Sequence, residues 1–336
     1  MVNLKDFRNA VIIADSVEID RLSVTQFSTD IDRATKKNVE SLRTALDLFF
    51  DDVIVYTDPQ EFRRNITKHK KDLIWPYWHG SNSRNKQAKV PALCELENLY
   101  YVGGDAATNA LCTDKVKSLD FCTRCGVKRP KHKIIHKPDA HVDWEYNLPL
   151  VVKPIYEGTS IGITSNNLTS DPDQALDLAR KLCEKLNQPI ILEEFIPGKE
   201  VNIVIIGSER GVSAWSAVER CHESDPDYFN SNLYTFEHKI KTKEIRLTDA
   251  RHLLSDRIKS KVFRLFEMLG KTDYIRIDGK LWEDEFWCFE LSHDTSLSPN
   301  GGFFAPFQYI GLDFANCVKT ILDTCLEHYN NLLPNQ

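Results

Sequence analysis

The sequence predicts an α/β protein built from successive units, and three observations carry that reading. An apolar run, Asn9-Ala10-Val11-Ile12-Ile13-Ala14, precedes an amphipathic stretch over Asp30 to Phe50 and a second β run at Val53-Ile54-Val55-Tyr56, which gives a β-α-β opening. From Leu148 onward the apolar runs are short and strand-like, with one helical stretch set among them. Near the end, Arg276-Ile277-Asp278 and Phe289-Glu290-Leu291-Ser292 read as a hairpin with an acidic residue on each arm. A chain of 336 residues is long enough for two or three packed units.

Between Asp30 and Phe50, the residues Val39, Leu42, Leu46 and Phe49 recur at helical spacing, so one helix is predicted there. Asp72-Leu73-Ile74-Trp75-Pro76-Tyr77-Trp78 reads as a third strand. It runs into His79-Gly80, a small-residue turn of the kind an open α/β sheet uses to present ligand-contacting loops, which makes His79 a candidate substrate contact. Thr113 to Cys125 reads as a helix, with Gly126 as its C-cap and Pro130 beyond. Strands are then predicted at Leu150–Pro154, at Ile161-Gly162-Ile163, at Ile190–Phe195 and, after Pro197-Gly198, at Val201–Ile206, with a helix from Pro172 to Leu186. The final unit holds a strand at Tyr274–Asp278, the hairpin to Glu290 and a closing helix from Asp313 to His328. No internal repeat or low-complexity linker interrupts the order.

Composition excludes several classes. With 42% hydrophobic and 27% charged residues the chain is globular, and no apolar run approaches the ~20 residues of a membrane helix. Met1 to Arg8 starts with charges instead of a signal peptide's apolar core, so a cytoplasmic protein with no membrane partner is expected. Nine scattered cysteines fit reduced thiols, and a net charge of -6 gives no footprint for nucleic acid. Cys122-Thr123-Arg124-Cys125 has metal-ligand spacing but no second pair to complete a zinc site.

Asp278 and Glu290, on neighbouring strands, suit a hard cation such as Mg²⁺, which is usually held by one or two carboxylates together with nucleotide phosphates. Standing alone, the same pair reads as two surface acids on a hairpin. Lys153 lies inside an apolar run, where an ammonium needs an anionic partner. The loop Glu157-Gly158-Thr159-Ser160-Ile161-Gly162 carries small residues whose amides can approach phosphate oxygens, although a glycine-containing loop by itself is an ordinary hairpin. In Glu193-Glu194-Phe195-Ile196-Pro197-Gly198-Lys199-Glu200, carboxylates at a strand end can accept hydrogen bonds from ribose and strand backbone can read an adenine edge; a solvated turn is the alternative. Lys239 is a further cation, in a charge-rich strand or loop that would ordinarily face solvent.

In their joint order and spacing these segments resemble the ATP-grasp superfamily and, within it, the D-alanine:D-alanine ligase family. The similarity runs from about Trp75 to Phe304 and includes Trp75-Pro76-Tyr77-Trp78-His79-Gly80, Tyr101-Val102-Gly103, Thr113-Asp114-Lys115 and Val152-Lys153-Pro154 as well as the loop, hinge and hairpin segments above. The resemblance implies an ATP-grasp fold: an amino-terminal open α/β domain over 1–106, a small central domain over 107–196, and a carboxyl-terminal antiparallel-sheet domain over 197–336 with the metal and substrate site. It implies ATP and two Mg²⁺ ions as cofactors, small-molecule carboxylate and amine substrates, and a homodimer. Lys115 and Lys153 take the place of phosphate-binding lysines, Lys153 near the adenine as well. Thr159, Ser160, Ile161 and Gly162 correspond to the mobile phosphate loop, with Ser160 close to the reacting groups. Glu193, Glu194, Phe195 and Ile196 correspond to the adenine hinge, Glu200 to the ribose contact, Lys239 to a γ-phosphate contact, and Asp278 and Glu290 to metal ligands. Arg276 corresponds to the group that stabilises the oxyanion of a tetrahedral intermediate.

Three departures bear on the substrate. The family's last metal ligand, an Asn, is here Ser292, a weaker oxygen donor that Asp294 would supplement unless Asp294 is a turn residue. Arg21 stands where the family holds an ammonium with a Glu, so a simple α-amino acid is not expected in the first subsite unless Asp20 or Glu18 substitutes. Ile240 follows Lys239 where many members have Tyr, and Ser83-Arg84-Asn85-Lys86-Gln87 replaces an acidic segment; this basic stretch would either meet an acidic substrate or be solvated. Ser296, Gly301 and Gly302 fall in the region that binds the second substrate's carboxylate, where the glycine amides could donate, and Phe303 and Phe304 are read as core. The expectation is an ATP-dependent ligase forming an amide or dipeptide-like product from a diverged substrate pair in specialised metabolism. The alternatives are a D-alanine:D-alanine ligase of cell-wall synthesis and a non-catalytic nucleotide-binding protein.

Overall fold

The structure, a computed structural model, describes residues 1–18, 24–80, 83–137, 147–240, 244–293 and 296–332. The first unit is a parallel sheet of β1 (Asn9–Ala14), β2 (Asp52–Tyr56) and β3 (Leu73–Tyr77) in the order β2-β1-β3, with α1 (Lys36–Leu46), α2 (Pro59–Asn65) and α3 (Lys89–Leu96) around it. A central parallel strand is covered on both faces, which is why β1 is a continuous apolar run. Ile12 and Ala14 pack toward α1, while Val11 and Ile13 pack toward Phe62 of α2 and Val90 of α3. The helix expected from Asp30 begins only at Lys36. Thr35 is its N-cap, taking a hydrogen bond from the Asn38 amide at 3.2 Å, and Thr29–Asp32 form a separate short turn.

The expected helix over Thr113–Cys125 is α5 (Lys115–Arg124); a helix not expected from the sequence, α4 (Ala106–Thr113), precedes it, and the two are divided at Asp114. Asp114 has an extended backbone and accepts from the Lys117 amide at 3.2 Å, so it ends one helix and caps the next. Gly126 follows with φ +81°, the left-handed residue that commonly closes a helix.

The second sheet is antiparallel, β4 (His132–Ile135), β5 (Leu150–Pro154), β6 (Leu168–Thr169) and β7 (Ile190–Glu194) in the order β4-β7-β5-β6. It is covered by α6 (Pro172–Leu186), whose apolar stripe of Ala175, Ala179 and Leu182 meets Leu150, Val152 and Ile190. Ile161-Gly162-Ile163 is not a strand. Thr159, Ser160 and Gly162 have φ of 49°, 57° and 73°, which folds the segment into a turn, and the Gly162 amide donates to the Gln26 carbonyl at 2.8 Å.

The third sheet is β8 (Lys199–Ser208), β9 (Gly211–His222), β10 (Ile245–Asp249), β11 (Tyr274–Trp282) and β12 (Glu285–Ser292), antiparallel in the order β10-β9-β8-β11-β12. Between β9 and β10 lies the short α7 (Phe236–Ile240), and α8 (Asp256–Met268) follows β10. Side chains alternate across a strand. Val201, Ile203, Ile205, Ile275 and Ile277 therefore share one face, buried against α8 and against α5 through Leu119 and Cys122. On the other face Val204, Ile206 and Tyr274 join the core of the first unit, closed by α9 (Phe314–Leu332). Phe303 and Phe304 sit in that core as expected.

Each sheet lies within one of the three units we propose, 1–106, 107–196 and 197–336, while α4 and α5 pack on the last sheet. No described helix is long and apolar enough to cross a membrane.

The turn after β3 is tied to β1 by Asp15. Its buried carboxylate accepts from the His79 amide at 3.0 Å and the Gly80 amide at 2.8 Å and pairs with Arg33 at 3.1 Å. Asp15→Ala strands these donors and should lower the unfolding free energy by roughly 2–3 kcal/mol in urea titration; a loss below about 1 kcal/mol would show that the turn does not depend on the anchor.

Candidate functional site

The three sheets converge on two adjoining cavities of about 130 and 430 Å³. Lys115, Glu157, Arg220, Lys239, Arg276 and Glu290 line both. The smaller cavity reaches Lys153, Glu193–Ile196 and Glu200; the larger runs toward His79, Ser292, Ser296 and Gly302.

The third sheet supplies the charged wall. The alternation that buries Ile203 and Ile277 puts Glu200, Asn202, Arg276, Asp278 and Lys280 on the opposite face, with Arg220 beside Glu200 and Glu290 beside Asp278 by strand register. Arg276 clamps Asp278 through two 2.7 Å hydrogen bonds, and Asn202 Nδ2 donates to the same carboxylate at 2.6 Å. Burial would raise the Asp278 carboxyl, but Arg276, with Arg220 and Lys239 further away, draws it below its ordinary range. Glu290 pairs with Lys115 at 2.7 Å.

Lys115, the first residue of α5, also donates to the Glu157 carbonyl, so the split at Asp114 aims its ammonium at the loop and at Glu290. Lys153 finds the anionic partner its apolar strand requires in Glu193, at 2.6 Å across the β5–β7 pair. The other Glu193 oxygen is buried with no hydrogen-bond partner among the described residues. Glu194 accepts from the Asn147 amide at 3.0 Å, and the Phe195 amide donates to the Pro149 carbonyl at 2.9 Å. Ile196 is buried and lines the smaller cavity.

Thr159 donates to Asp32 at 2.8 Å and Ser160 to the Tyr234 carbonyl at 3.3 Å; Ile161 is buried beside Ile31 and Phe236. A Cβ on Gly158 would stand 2.6 Å from the Asp32 carboxylate, so the loop lies tight against the first unit. Lys239 is in the short helix α7, not a solvent-facing strand or loop, and it lines both cavities. Burial lowers its pKa to about 8, with Arg276 and Arg220 adding to the effect against Glu290 and Asp278.

Of the metal candidates, Asp278 and Glu290 are opposed across β11 and β12, and Ser292 is buried opposite Arg276. Asp294 lies outside the described residues. The two carboxylates fit a cation that takes few protein ligands and fills its shell with phosphate and water, as Mg²⁺ does. Of the substrate candidates, Arg21 and its neighbour Asp20 also lie outside the described residues, and Glu18 is spent in an exposed pair with Lys36 at 2.7 Å. His79 is buried in the wall of the larger cavity, and Ser296 accepts from Asn38 Nδ2 at 2.8 Å. Gly302 faces Arg276, whose Nη1 stands 3.2 Å from a Cβ built there. The expected role for Gly301 fails, because its amide already donates to the Ser298 carbonyl at 2.8 Å and it does not line the cavity. The basic stretch is not a solvated loop throughout: Lys86 and Gln87 are buried, and the Lys86 ammonium lies 3.3 Å from Glu157 and 3.7 Å from Asp32.

Sequence reasoning missed Arg220, Asn202 and Lys280. For two of them the signal was available: in Arg276-Ile277-Asp278-Gly279-Lys280 and in Glu200-Val201-Asn202, every second residue is polar, which places Lys280 and Asn202 on the face of the residues already singled out.

Fold and cleft together define an ATP-grasp carboxylate–amine ligase, an enzyme class that forms carbon–nitrogen bonds. The chain belongs to the family described as D-ala D-ala ligase C-terminus, whose profile matches residues 121–323. A D-alanine–D-alanine ligase of Geobacillus thermodenitrificans is 25% identical over 271 residues, covering 77% of this chain and 71% of the relative. The structure of D-alanine–D-alanine ligase from Bacillus anthracis complexed with ATP superposes with a TM-score of 0.72 at 15% identity, over 96% of this chain and 99% of that one. The VanG D-Ala:D-Ser ligase from Enterococcus faecalis shares the fold at a TM-score of 0.66 and 19% identity, over 95% and 99% of the two chains.

Lys280 behaves like Lys239: burial brings its pKa down to about 8, against the pull of Glu200. Both fall from an ordinary 10.5, so between about pH 8 and 10.5 the unfolded chain binds more protons than the folded one, and these two groups make stability rise with pH there. Heteronuclear NMR of the lysine ε-methylenes should show two groups titrating near pH 8, one lost in Lys239→Met and the other in Lys280→Met. Two titrations near 10.5 instead would mean that the ammonium groups are solvated.

Proposed function

We propose that the chain joins two amino acids in the manner of a D-alanine:D-alanine ligase, activating the carboxylate of the first as an acyl phosphate with ATP and letting the amine of the second attack it. The observation that carries this reading is the junction of the two cavities at Lys115, Lys239, Arg276 and Glu290. A nucleotide in the smaller cavity would bring its terminal phosphate to the same side chains that a carboxylate would reach from the larger one. The specialised substrate pair favoured by Arg21 gives way here to the cell-wall type, because the relatives matched over most of the chain carry that name.

In this reading the hinge at Glu193–Ile196 holds the adenine, Glu200 the ribose, and Lys115, Lys153 and Lys239 the phosphates. The Thr159–Gly162 loop covers them and keeps water from the acyl phosphate. Asp278 and Glu290, with Ser292 next on β12, would hold Mg²⁺; bound there, the ion would neutralise charge on the transferring phosphoryl group. Arg276 is oriented by its two bonds to Asp278, and its Nη1 faces Gly302 on the substrate side, placed to stabilise oxyanion charge as the amine adds. Ser160 hydroxyl and the Gly302 amide would contact the phosphate and the second carboxylate. His79 and Ser296 would line the substrate end.

Mg-dependent ADP release should require D-alanine, and mass spectrometry should find the dipeptide. Release with another amino acid pair would keep the ligase chemistry and replace the substrates; nucleotide binding without turnover on any pair would overturn the catalytic reading. Lys153→Ala and Glu290→Gln should each cut ADP release by about 100-fold or more, and turnover surviving in both would overturn the site assignment.

A further inference from the structure

Lys280 is 2% exposed, a lysine buried as deeply as the core around it. It lies directly across the β8–β11 pair from Glu200, donates to the Phe229 carbonyl, and holds its ammonium 4.2 Å from the centre of the Phe195 ring. Glu200 also faces Arg220 on β9, and both Glu200 and Lys280 line the smaller cavity. Among the described residues no hydrogen bond reaches the Glu200 carboxylate, and the residue lines that cavity. An ionised carboxylate in such a place needs compensating charge close by. Burial raises the Glu200 carboxyl above its ordinary range; Lys280, Arg220 and, across the cavity, Lys153 pull it back toward the ionised form, with Asp278 acting against them. Of these, Arg220 also leans on the Tyr234 ring at 4.4 Å and lines the substrate cavity, and Lys153 is taken by Glu193. Lys280 and Arg220 are both direct cross-strand partners of Glu200, and of the two Lys280 lines the smaller cavity and not the larger one.

We propose that Lys280 is a positioning residue for the nucleotide: its buried ammonium holds Glu200 as an oriented carboxylate that accepts hydrogen bonds from the vicinal hydroxyls of the sugar. The proposal rests on the reading that Glu200 faces the ribose. Lys280 itself touches neither sugar nor phosphate and takes no part in phosphoryl transfer. It acts on which nucleotide binds and how tightly, not on the rate of the chemistry.

The test uses the full chain and compares ATP with 2′-deoxyATP. Lys280→Met keeps the length and shape of the side chain and removes its charge. It should raise KM for ATP about tenfold, the scale of one charge-assisted hydrogen bond, leave kcat within about twofold, and reduce the preference for ATP over 2′-deoxyATP toward one. Lys280→Arg keeps the charge and should recover most of that preference, which a purely structural role would not predict. Isothermal titration with a non-hydrolysable ATP analogue reads the same loss directly, without turnover. Glu200→Gln separates the two layers of the argument. If it abolishes the ribose preference while Lys280→Met leaves KM and preference unchanged, the role of Lys280 is overturned and the ribose assignment stands. If Glu200→Gln leaves the preference intact, the ribose assignment falls and the role of Lys280 with it. Should Lys280→Met lower stability, the result still counts, because a merely loosened protein loses ATP and 2′-deoxyATP binding in equal proportion.

Discussion

The clamp of Arg276 on Asp278 is the interaction on which the cleft depends. Three strands meet there: β11 supplies both partners, β8 adds Asn202, and β12 brings Glu290 opposite. An arginine fork on a carboxylate is rigid and bidentate, so it fixes two side chains at once and keeps Asp278 ionised despite burial. Other charges follow from it. Glu290 is left to Lys115, whose position depends on the helix break at Asp114, and Lys115 in turn reaches the Glu157 carbonyl at the start of the loop. The chain of contacts from sheet to helix to loop is electrostatic throughout, in a cleft where unpaired charge would be costly.

One face of the third sheet serves two purposes along its length. Toward one end, Val204, Ile206 and Tyr274 are buried in the core closed by α9; toward the other, Glu200, Asn202, Asp278 and Lys280 line the cleft. Because the core fixes the strand register, it also fixes the spacing of the charged groups. A one-residue slip would exchange the polar face for the apolar one, so the site cannot shift without unmaking the fold.

The loop at Glu157–Gly162 shows how local conformation serves this arrangement. Left-handed backbone at Thr159, Ser160 and Gly162 turns the segment back between the first unit and α7, where Asp32, Gln26 and Tyr234 hold it by hydrogen bonds. In this position Thr159 lines the larger cavity, Ser160 the smaller, and Gly158 both. Non-glycine residues with positive φ cost free energy and persist where surroundings over-determine them, and such positions gather at functional sites.

Much of this was legible in the sequence. The exact apolar run of β1, the span of α6 from Pro172 to Leu186 and the acidic hairpin are set by local periodicity and by caps that act within a few residues, and the ordered motifs identified the family before any contact was known. The start of α5 at Asp114 was readable as well, since Asp is a strong N-cap, whereas α4 before it was not expected from the sequence. What the sequence by itself determined was therefore the element order and the residue types that suit a nucleotide site. Only the tertiary structure decided that Lys86 is buried and Lys239 half-buried where the cavities meet instead of solvated, that the amide of Gly301 is already used, and that Arg220, Asn202 and Lys280 stand among the acids of the cleft. The physical reason is that burial and charge pairing arise between strands and helices distant in the chain, so no local pattern around a lysine says which carboxylate, if any, will face it.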